Sequence, residues 1–301
     1  MSIKKTIKIF LRKIYLYMQK HYLTFRILVM LEKMGILQRM FIMFAEVRKS
    51  KTDIMQEMAK NRVFLEKNSQ RIKDTKELFS DERSKDIFDA CMNYRAYRTR
   101  IPNHLFSETD QYFVEGIVSL SNNEVFVDCG AFIGDTIQQV VDLARKKRIT
   151  DYSIIAFEPS RRNVRLIQKF FKNNNNLVLI DKGISDCEKK VYFEEGGSRS
   201  RITNKNIGKD NYIETTSLDS ISQCQNATFI KMDIEGAELS ALQGAKNIIQ
   251  RNRPKLAICI YHSNEDMVTI PQYIHSLVPE YKLYVRHHSR GAIETVLYAV
   301  I

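Results

Sequence analysis

Three acidic residues follow apolar, strand-like segments and are the side chains best suited to bind a polar ligand. Asp128 ends the segment Val125–Asp128, Glu158 ends the next such segment, and Asp233 follows Phe229–Met232. In open α/β sheets, ligands bind outside the carboxyl ends of the strands, so the three acids are expected on one rim. A carboxylate at the end of the second strand can accept both hydroxyl protons of a ribose. The spacing therefore predicts a site for a nucleoside.

The turn after the first strand indicates which nucleoside. Asp128 is followed by Gly130, Ala131 and Gly134, and an apolar helical pattern begins at Thr136. A dinucleotide site has the pattern G-x-G-x-x-G, whereas this turn begins with an acid and has two glycines. A carboxylate repels a pyrophosphate and attracts a cation, such as the sulfonium and amino groups of S-adenosylmethionine. The turn thus favours S-adenosylmethionine and disfavours a nicotinamide-dependent oxidoreductase.

Strand-like and helical segments alternate from Val125 onward, which is typical of a parallel sheet covered by helices. Strands are predicted at 125–128, 153–157, 177–180, 228–232, 255–261, 281–286 and 294–300, and helices at 136–147, 160–172, 236–249 and 267–277. The fold class is α/β: a Rossmann-like, seven-stranded, mostly parallel sheet with helices on both faces, plus an α-helical N-terminal region. A turn at Gly291 predicts one antiparallel strand at the end of the sheet. The periodicity fails between 188 and 216, where the segment 196–201 is expected to form a mobile loop, with a short edge pair around 191–193.

The positive charge of the chain is concentrated at its amino end. The net charge is +12, and residues 1–51 carry twelve basic against two acidic residues. Their apolar spacing predicts a basic amphipathic helix, which either packs on the rest of the chain or lies on an anionic membrane surface. No apolar run there reaches the length of a spanning helix, and no motif that reads nucleic acid is present, so nucleic acid is not an expected partner.

The sequence predicts two regions, a basic α-helical region at 1–104 and a catalytic domain at 105–301. Residues 51–100 contain no glycine or proline and are expected to form a helical lid or a bundle that makes a homo-oligomer. The five cysteines form no CxxC pair and no zinc-like cluster, which is typical of reduced thiols in a cytoplasmic protein. Peripheral contact with the inner membrane surface stays an open alternative.

Several motifs together resemble the FkbM-type class I S-adenosylmethionine-dependent methyltransferases, over about residues 107–301. The matching segments are Val127-Asp-Cys-Gly-Ala-Phe-Ile-Gly-Asp-Thr136, Ala156-Phe-Glu-Pro159, Lys182-Gly-Ile-Ser-Asp186, Ser217-Leu-Asp219, Phe229-Ile-Lys-Met-Asp-Ile-Glu-Gly-Ala-Glu238 and Glu294-Thr-Val-Leu-Tyr298. The segment Lys231–Glu238 is the most specific of these. The turn departs from the family at Phe132, where relatives have glycine or asparagine.

The resemblance implies how the cofactor is held. Asp128, Gly130 and Gly134 would line its methionine part, and Glu158 would bind the ribose. Asp186, or the backbone near Ser185, would face the adenine. The remaining candidates for cofactor binding are Gln111, Tyr112, Ala131, Thr136, Pro159 and Asp233, of which Gln111 and Tyr112 are expected in a helical entry that roofs the site.

The resemblance also implies O-methylation of a saccharide or glycoconjugate hydroxyl. Such a hydroxyl needs a base as the new bond forms, and His262 is the first candidate, with His287 and Asp233 next. Arg199 and Arg201 are expected to hold phosphate or carboxylate groups of the acceptor, and the remaining acceptor-binding candidates are Tyr261 and Glu235. No tight carboxylate cluster is visible, so no metal is predicted, although assistance through Asp233 stays open. The alternatives are a methyltransferase-like protein with a membrane-surface or scaffolding role, and the oxidoreductase.

Overall fold

The computed structural model describes residues 51–107, 110–194, 201–203, 212–289 and 291–301. The amphipathic helix predicted for the first fifty residues lies outside these described residues. In chain order the elements are α1 (Lys51–Lys67), α2 (Ser69–Glu77), α3 (Glu82–Tyr97), β1 (Glu124–Cys129), α4 (Asp135–Lys147), β2 (Tyr152–Phe157), α5 (Arg161–Phe170), β3 (Leu177–Ile180), β4 (Gly183–Ile184), β5 (Lys189–Glu194), β6 (Arg201–Thr203), β7 (Tyr212–Thr216), β8 (Phe229–Met232), α6 (Glu238–Gln243), α7 (Lys246–Asn252), β9 (Lys255–Cys259), α8 (Asn264–Leu277), β10 (Lys282–His287) and β11 (Thr295–Val300).

Seven strands form the central sheet in the order β10-β11-β9-β8-β1-β2-β3, which confirms the predicted α/β fold. All neighbouring pairs are parallel except those that involve β11, which runs antiparallel to both β9 and β10. The prediction of one antiparallel strand is confirmed, but its predicted position at the end of the sheet is wrong, because β10 is the edge strand. The chain crosses to the edge first as β10, and the hairpin then returns β11 into the gap beside β9.

Both faces of the sheet are buried because side chains alternate between them along each strand. Phe126 and its register partners Ile154 and Phe229 belong to one core, which also contains Ile137 of α4. The next residues along, Val127 and its partners, point into the other core, against α3, α7 and α8. Helices on both faces therefore hold the strand ends of the site rigidly.

The described residues within 188–216 form strands beyond the predicted edge pair, and the mobile loop predicted at 196–201 lies, apart from Arg201, outside the described residues. Strands β4, β7, β5 and β6 make a second, four-stranded sheet in that order. The predicted edge pair around 191–193 is part of β5, which pairs with β6 and β7 in antiparallel fashion. These strands carry many polar residues, so apolar and polar side chains alternate only weakly along them. A prediction based on hydrophobic periodicity therefore does not detect them.

The helices before the catalytic domain share its core. Ile87 and Phe88 of α3 are fully buried in the same core as Val285 of β10. The Ser84 hydroxyl also accepts a hydrogen bond from the Val285 backbone N–H at 2.9 Å, and the Asp81 side chain caps α3 by accepting a hydrogen bond from the Ser84 N–H. The boundary predicted after residue 104 therefore does not separate two cores. Among the described residues, no helix is long and apolar enough to cross a membrane.

Candidate active site

The glycine turn between β1 and α4 is pressed against the end of β8. Gly130 has a φ of +87°, and a Cβ atom there would lie 2.1 Å from the Asp233 carbonyl oxygen. Gly134, the N-cap of α4, has a φ of +88°, and a Cβ atom there would lie 2.6 Å from the ring of Phe171. A side chain at either position would collide with these neighbouring atoms, so both positions require glycine. The turn therefore packs closely against the end of β8 at Gly130 and against the Phe171 ring at Gly134.

Phe132 adopts the left-handed conformation with a φ of +48°. A residue with a Cβ atom pays roughly 1–2 kcal/mol for this conformation, which explains why a glycine or asparagine suits the position. The Phe132 backbone N–H donates a hydrogen bond to Glu158 Oε2 at 2.8 Å. The strained residue thus connects the turn to the second strand.

Asp128 is fully buried, and its charge is compensated by a lysine that was not among the predicted site residues. Lys231 Nζ lies 2.9 Å from Asp128 Oδ1 and donates a second hydrogen bond to the Gly130 carbonyl oxygen at 2.8 Å. Burial raises the pKa of Asp128, while Lys231 opposes this rise. Asp128 lies inside β1, not beyond it, so a free carboxylate facing the cofactor is the wrong picture. It acts on the turn through Lys231.

Glu158 lies at the carboxyl end of β2, as predicted, and is 5% exposed. Its Oε1 accepts hydrogen bonds from the Ser160 backbone N–H at 2.9 Å and from the Asn163 side chain at 3.2 Å, and Oε2 accepts the bond from Phe132. Burial raises the pKa of Glu158 to about 7, against the effect of these donors. Oε1 already accepts two hydrogen bonds, whereas Oε2 accepts one and keeps acceptor capacity for a ribose hydroxyl.

Asp233 is oriented by two tyrosine hydroxyls at the end of β8. Tyr112 donates to Oδ2 at 3.0 Å, and Tyr261 donates to Oδ1 at 3.1 Å. The predicted candidates Asp233, Tyr112 and Tyr261 are therefore brought together. Gln111 lies beside Tyr112 and hydrogen-bonds to Glu294. The two residues lie in a turn, so the helical entry predicted for them is wrong.

His262 lies among three carboxylates. Its Nε2 is 3.7 Å from Asp233 Oδ1 and 3.6 Å from Glu235 Oε2, and its Nδ1 is 3.3 Å from Glu238 Oε1. Burial disfavours the imidazolium, but the carboxylates outweigh burial and raise the pKa of His262 to about 10. The rim position of His262 agrees with its prediction. Its role as a general base stays a prediction, and the surrounding carboxylates disfavour it because they raise the pKa of the imidazole.

His287 is the predicted catalytic residue that the structure contradicts. It is the last residue of β10, three strands from β8, and is completely buried. Its Nδ1 lies 2.9 Å from the Thr295 hydroxyl, and burial lowers the pKa of His287 to about 4. A neutral, buried imidazole held in the hydrophobic core has a structural role, so His287 is not a candidate base.

The remaining predicted residues fall into three groups. Ala131 and Thr136 are buried in the turn and in the first turn of α4, and Pro159 precedes α5, which begins at residue 161. Ser185 hydrogen-bonds to the Ser240 hydroxyl at 3.0 Å, while Lys189 lowers the pKa of Asp186 through an ion pair at 2.7 Å. Arg199 lies outside the described residues. Arg201 is in β6 opposite Glu194, and its acceptor-binding role stays a prediction.

Three functional candidates were missed from the sequence. Lys231 lies within an apolar strand, and a lysine in such a place signals a buried anionic partner. Glu238 is fully buried, and its Oε1 accepts a hydrogen bond from the Ile234 backbone N–H at 2.8 Å. Asp135, the first residue of α4, has its pKa raised to about 6 by burial, with Lys231 opposing the shift.

The donor set fits a cationic nucleoside cofactor. The partly exposed carboxylates of Asp135 and Asp233 flank the glycine turn, and Glu158 completes the rim. Within the described part of the chain, no hydrogen-bond donor reaches the buried Asp128 Oδ2. Acidic groups around a tight turn suit a sulfonium and an ammonium group and disfavour a pyrophosphate.

The sheet order, the acid-bearing glycine turn and the buried glutamate at the end of β2 together define a class I methyltransferase domain. The methyltransferase FkbM domain family matches residues 128–285, just over half of the chain. The chain belongs to this family, and S-adenosylmethionine is the cofactor of its domain.

Two individual proteins are similar to the chain. The crystal structure of methyltransferase FkbM from Methylobacillus flagellatus is 26% identical, with a TM-score of 0.63, and the match covers 79% of this chain and 60% of that one. Ribosomal RNA small subunit methyltransferase A of Halothermothrix orenii is 25% identical over 126 residues, which are 41% of this chain and 39% of that protein. The chain thus spans less than two thirds of either relative.

Proposed function

We propose that the protein is an S-adenosylmethionine-dependent O-methyltransferase whose acceptor is a hydroxyl of a saccharide or other glycoconjugate. The observation that carries this proposal is the Asp233 carboxylate, which Tyr112 and Tyr261 hold from both sides beside the glycine turn. A fixed, partly exposed carboxylate next to the cofactor turn is suited to align an acceptor hydroxyl and take its proton.

The residues of the site divide the work of methyl transfer. S-adenosylmethionine, when bound, supplies an activated methyl group on a cationic sulfur. Glu158 would hold the ribose, and Lys231 keeps the turn closed through the Gly130 carbonyl oxygen. Each Asp233 oxygen accepts one tyrosine hydroxyl and retains a further acceptor site. In the proposed displacement the methyl carbon–sulfur bond would break as the carbon–oxygen bond forms, S-adenosylhomocysteine would leave, and the acceptor proton would pass to Asp233.

His262 supports this step without acting as the base. Its Nε2 lies 3.7 Å from Asp233 Oδ1, and the imidazole packs among three converging carboxylates. A variant that loses the imidazole would change the position of Asp233. His262 is therefore a positioning residue in the proposed reaction.

The saccharide acceptor is supported by family resemblance and by the polar nature of the rim. The segment Gln111-Tyr112-Phe113 resembles relatives encoded near genes for sugar polymers, and Tyr112 contacts Asp233. Hydroxyl-rich acceptors need hydrogen-bonding groups next to the reacting carboxylate, and the tyrosine hydroxyls provide them. The nicotinamide and scaffolding alternatives have no comparable support.

The test compares surface glycans from cells that contain the wild-type protein with glycans from cells that contain an Asp233→Asn variant. Mass spectrometry should show a shift of one methyl group per modified sugar only with the wild type. Purified protein with isotope-labelled S-adenosylmethionine should transfer label to glycans from the variant cells. Glycans of equal mass in both strains, or label that appears only in RNA or lipid, would refute the saccharide acceptor.

Binding measurements separate catalysis from cofactor recognition. Asp233→Asn should lower the rate of transfer by about 10²-fold or more, the usual size of a lost acid–base group, and leave the affinity for S-adenosylhomocysteine within about threefold. Tyr112→Phe and Tyr261→Phe should give smaller losses of rate. The control is Glu280→Gln, because Glu280 is exposed and lies just before β10, away from the glycine turn. This variant should change neither the rate nor the affinity.

A further inference from the structure

We propose that Asp233, Glu238 and His262 form a binding site for one divalent transition-metal ion, with Mn²⁺ as the best match. Each of the three residues offers one ligand atom, and these atoms all lie within 4.8 Å of one another. The residues come from the end of β8, the start of α6 and the end of β9, so three separate elements converge on one point. Sequence patterns predict no metal here because Glu238 and His262 are distant in the chain.

The spacing of the ligand atoms suits a metal ion after a small contraction. A metal with bonds of about 2.1 Å holds opposite ligands about 4.2 Å apart and adjacent ones nearer. His262 Nδ1 is 3.3 Å from Glu238 Oε1, and His262 Nε2 is 3.7 Å from Asp233 Oδ1. These two distances involve different ring nitrogens, but one nitrogen and one oxygen of each carboxylate all lie within 4.8 Å of one another, so side-chain movements of roughly half an ångström or more bring them to bonding distance.

Buried polar atoms without hydrogen bonds give a second, independent indication. Glu238 is fully buried, and no donor among the described residues reaches its Oε2. Neither ring nitrogen of His262 has a hydrogen bond of good geometry in that same part of the chain. Buried polar groups are almost always satisfied, so these atoms require a partner, and a cation satisfies a carboxylate oxygen and an imidazole nitrogen at once.

The ligand types restrict the metal. Mg²⁺ and Ca²⁺ prefer sites made only of oxygen, whereas an imidazole nitrogen favours a transition metal. Two carboxylates and one imidazole are a mixed set that suits Mn²⁺, and three protein ligands leave coordination positions for other oxygen atoms. Such a position beside Asp233 would lower the pKa of a bound hydroxyl. That catalytic role rests on the proposed O-methyl transfer, whereas the metal site itself does not.

The competing explanation is an imidazolium that pairs with the carboxylates and needs no metal. Full-length protein, dialysed against EDTA and titrated with Mn²⁺ without cofactor or acceptor, distinguishes the two by electron paramagnetic resonance. We expect one bound Mn²⁺ per chain, with nitrogen coupling from a coordinated imidazole in the pulsed spectrum. No stoichiometric binding, or bound Mn²⁺ without nitrogen coupling, would overturn the proposal.

Variants locate the ion. His262→Gln and Glu238→Gln should each weaken Mn²⁺ binding at least tenfold, and Glu280→Gln should bind as the wild type does. If a variant does not fold, the nitrogen coupling of the wild type decides the question alone. Mn²⁺ binding without any methyl transfer to glycans would leave the site standing and refute the proposed function. Transfer that is insensitive to EDTA, together with no Mn²⁺ binding, would refute the site only.

Discussion

The ammonium group of Lys231 lies 2.9 Å from the Asp128 carboxylate, and both side chains are buried between β1 and β8. The same ammonium also binds the Gly130 carbonyl oxygen, so a single cation couples two central strands to the cofactor turn. A buried ion pair contributes little net stability, but removal of one partner is strongly destabilising because it leaves the other charge buried without compensation. Substitutions of Lys231 and Asp128 therefore test directly whether this ion pair holds the cofactor turn in place.

Replacement of Lys231 alone should be severely destabilising. We expect Lys231→Met to lower the free energy of unfolding by about 3–5 kcal/mol, measured by urea denaturation, since Asp128 loses its partner. The double variant Asp128→Leu with Lys231→Met should recover at least half of this loss. The exposed pair Arg253–Glu280, also 2.8 Å apart, is the control, and Arg253→Met should cost less than about 1 kcal/mol. Equal losses at both pairs would contradict the prediction.

At position 132, a glycine variant should be more stable than an alanine variant, which is the reverse of the usual order of stability. Glycine normally destabilises a position by roughly 0.5–1 kcal/mol relative to alanine, but a φ of +48° penalises every residue with a Cβ atom. We expect Phe132→Gly to be more stable than Phe132→Ala by about 1 kcal/mol in thermal or urea unfolding. At Phe106, with a φ of −70°, the same two substitutions should show the normal order. The normal order at both positions would disprove strain at Phe132.

Gly130→Ala should damage the site more than its backbone conformation alone explains. Gly116 has a comparable φ of +79°, and a methyl group added there would meet no atom of the described residues within 4 Å. A methyl group added at Gly130 would instead meet the Asp233 carbonyl oxygen at 2.1 Å. Gly116→Ala should cost about 1 kcal/mol of stability and keep the affinity for S-adenosylhomocysteine. Gly130→Ala should lose more stability and bind the product at least tenfold more weakly by calorimetry, and unchanged binding would show that the turn tolerates displacement.

Cofactor affinity should depend on pH through Glu158. Burial raises the pKa of this carboxyl group to about 7, and ribose hydroxyls favour the ionised form because it only accepts hydrogen bonds. Binding must therefore release a proton below pH 7, so affinity should fall as the pH falls, by up to about tenfold per unit. Calorimetry with S-adenosylhomocysteine between pH 5.5 and 8.5 measures this dependence. Glu158→Gln should bind weakly and lose the dependence centred near pH 7, leaving that of Asp135, whose pKa is about 6. A wild type with no dependence near pH 7 would contradict the assignment.

The main architecture of the domain was predictable from local patterns. The seven strands and the turn at Gly130 carry strong signals, because apolar β-branched runs and glycines reflect local backbone and burial requirements. The N-terminal cap of α3 at Asp81 and the position of Glu158 after β2 follow from the same short-range rules. The small second sheet escaped because its strands are polar and short.

The roles of individual site residues depended on contacts between distant parts of the chain. Asp128 and Lys231 have adjacent places in the sheet only because β8 pairs with β1, and that pairing turns a predicted cofactor ligand into a buried counter-ion. Asp233, Glu235 and Glu238 surround His262 and raise its pKa, whereas burial in the core lowers the pKa of His287. The pKa of a side chain depends on the groups that surround it in the folded protein. The sequence could therefore identify these residues as candidates, but only the tertiary structure shows which charges and which degree of burial act on them.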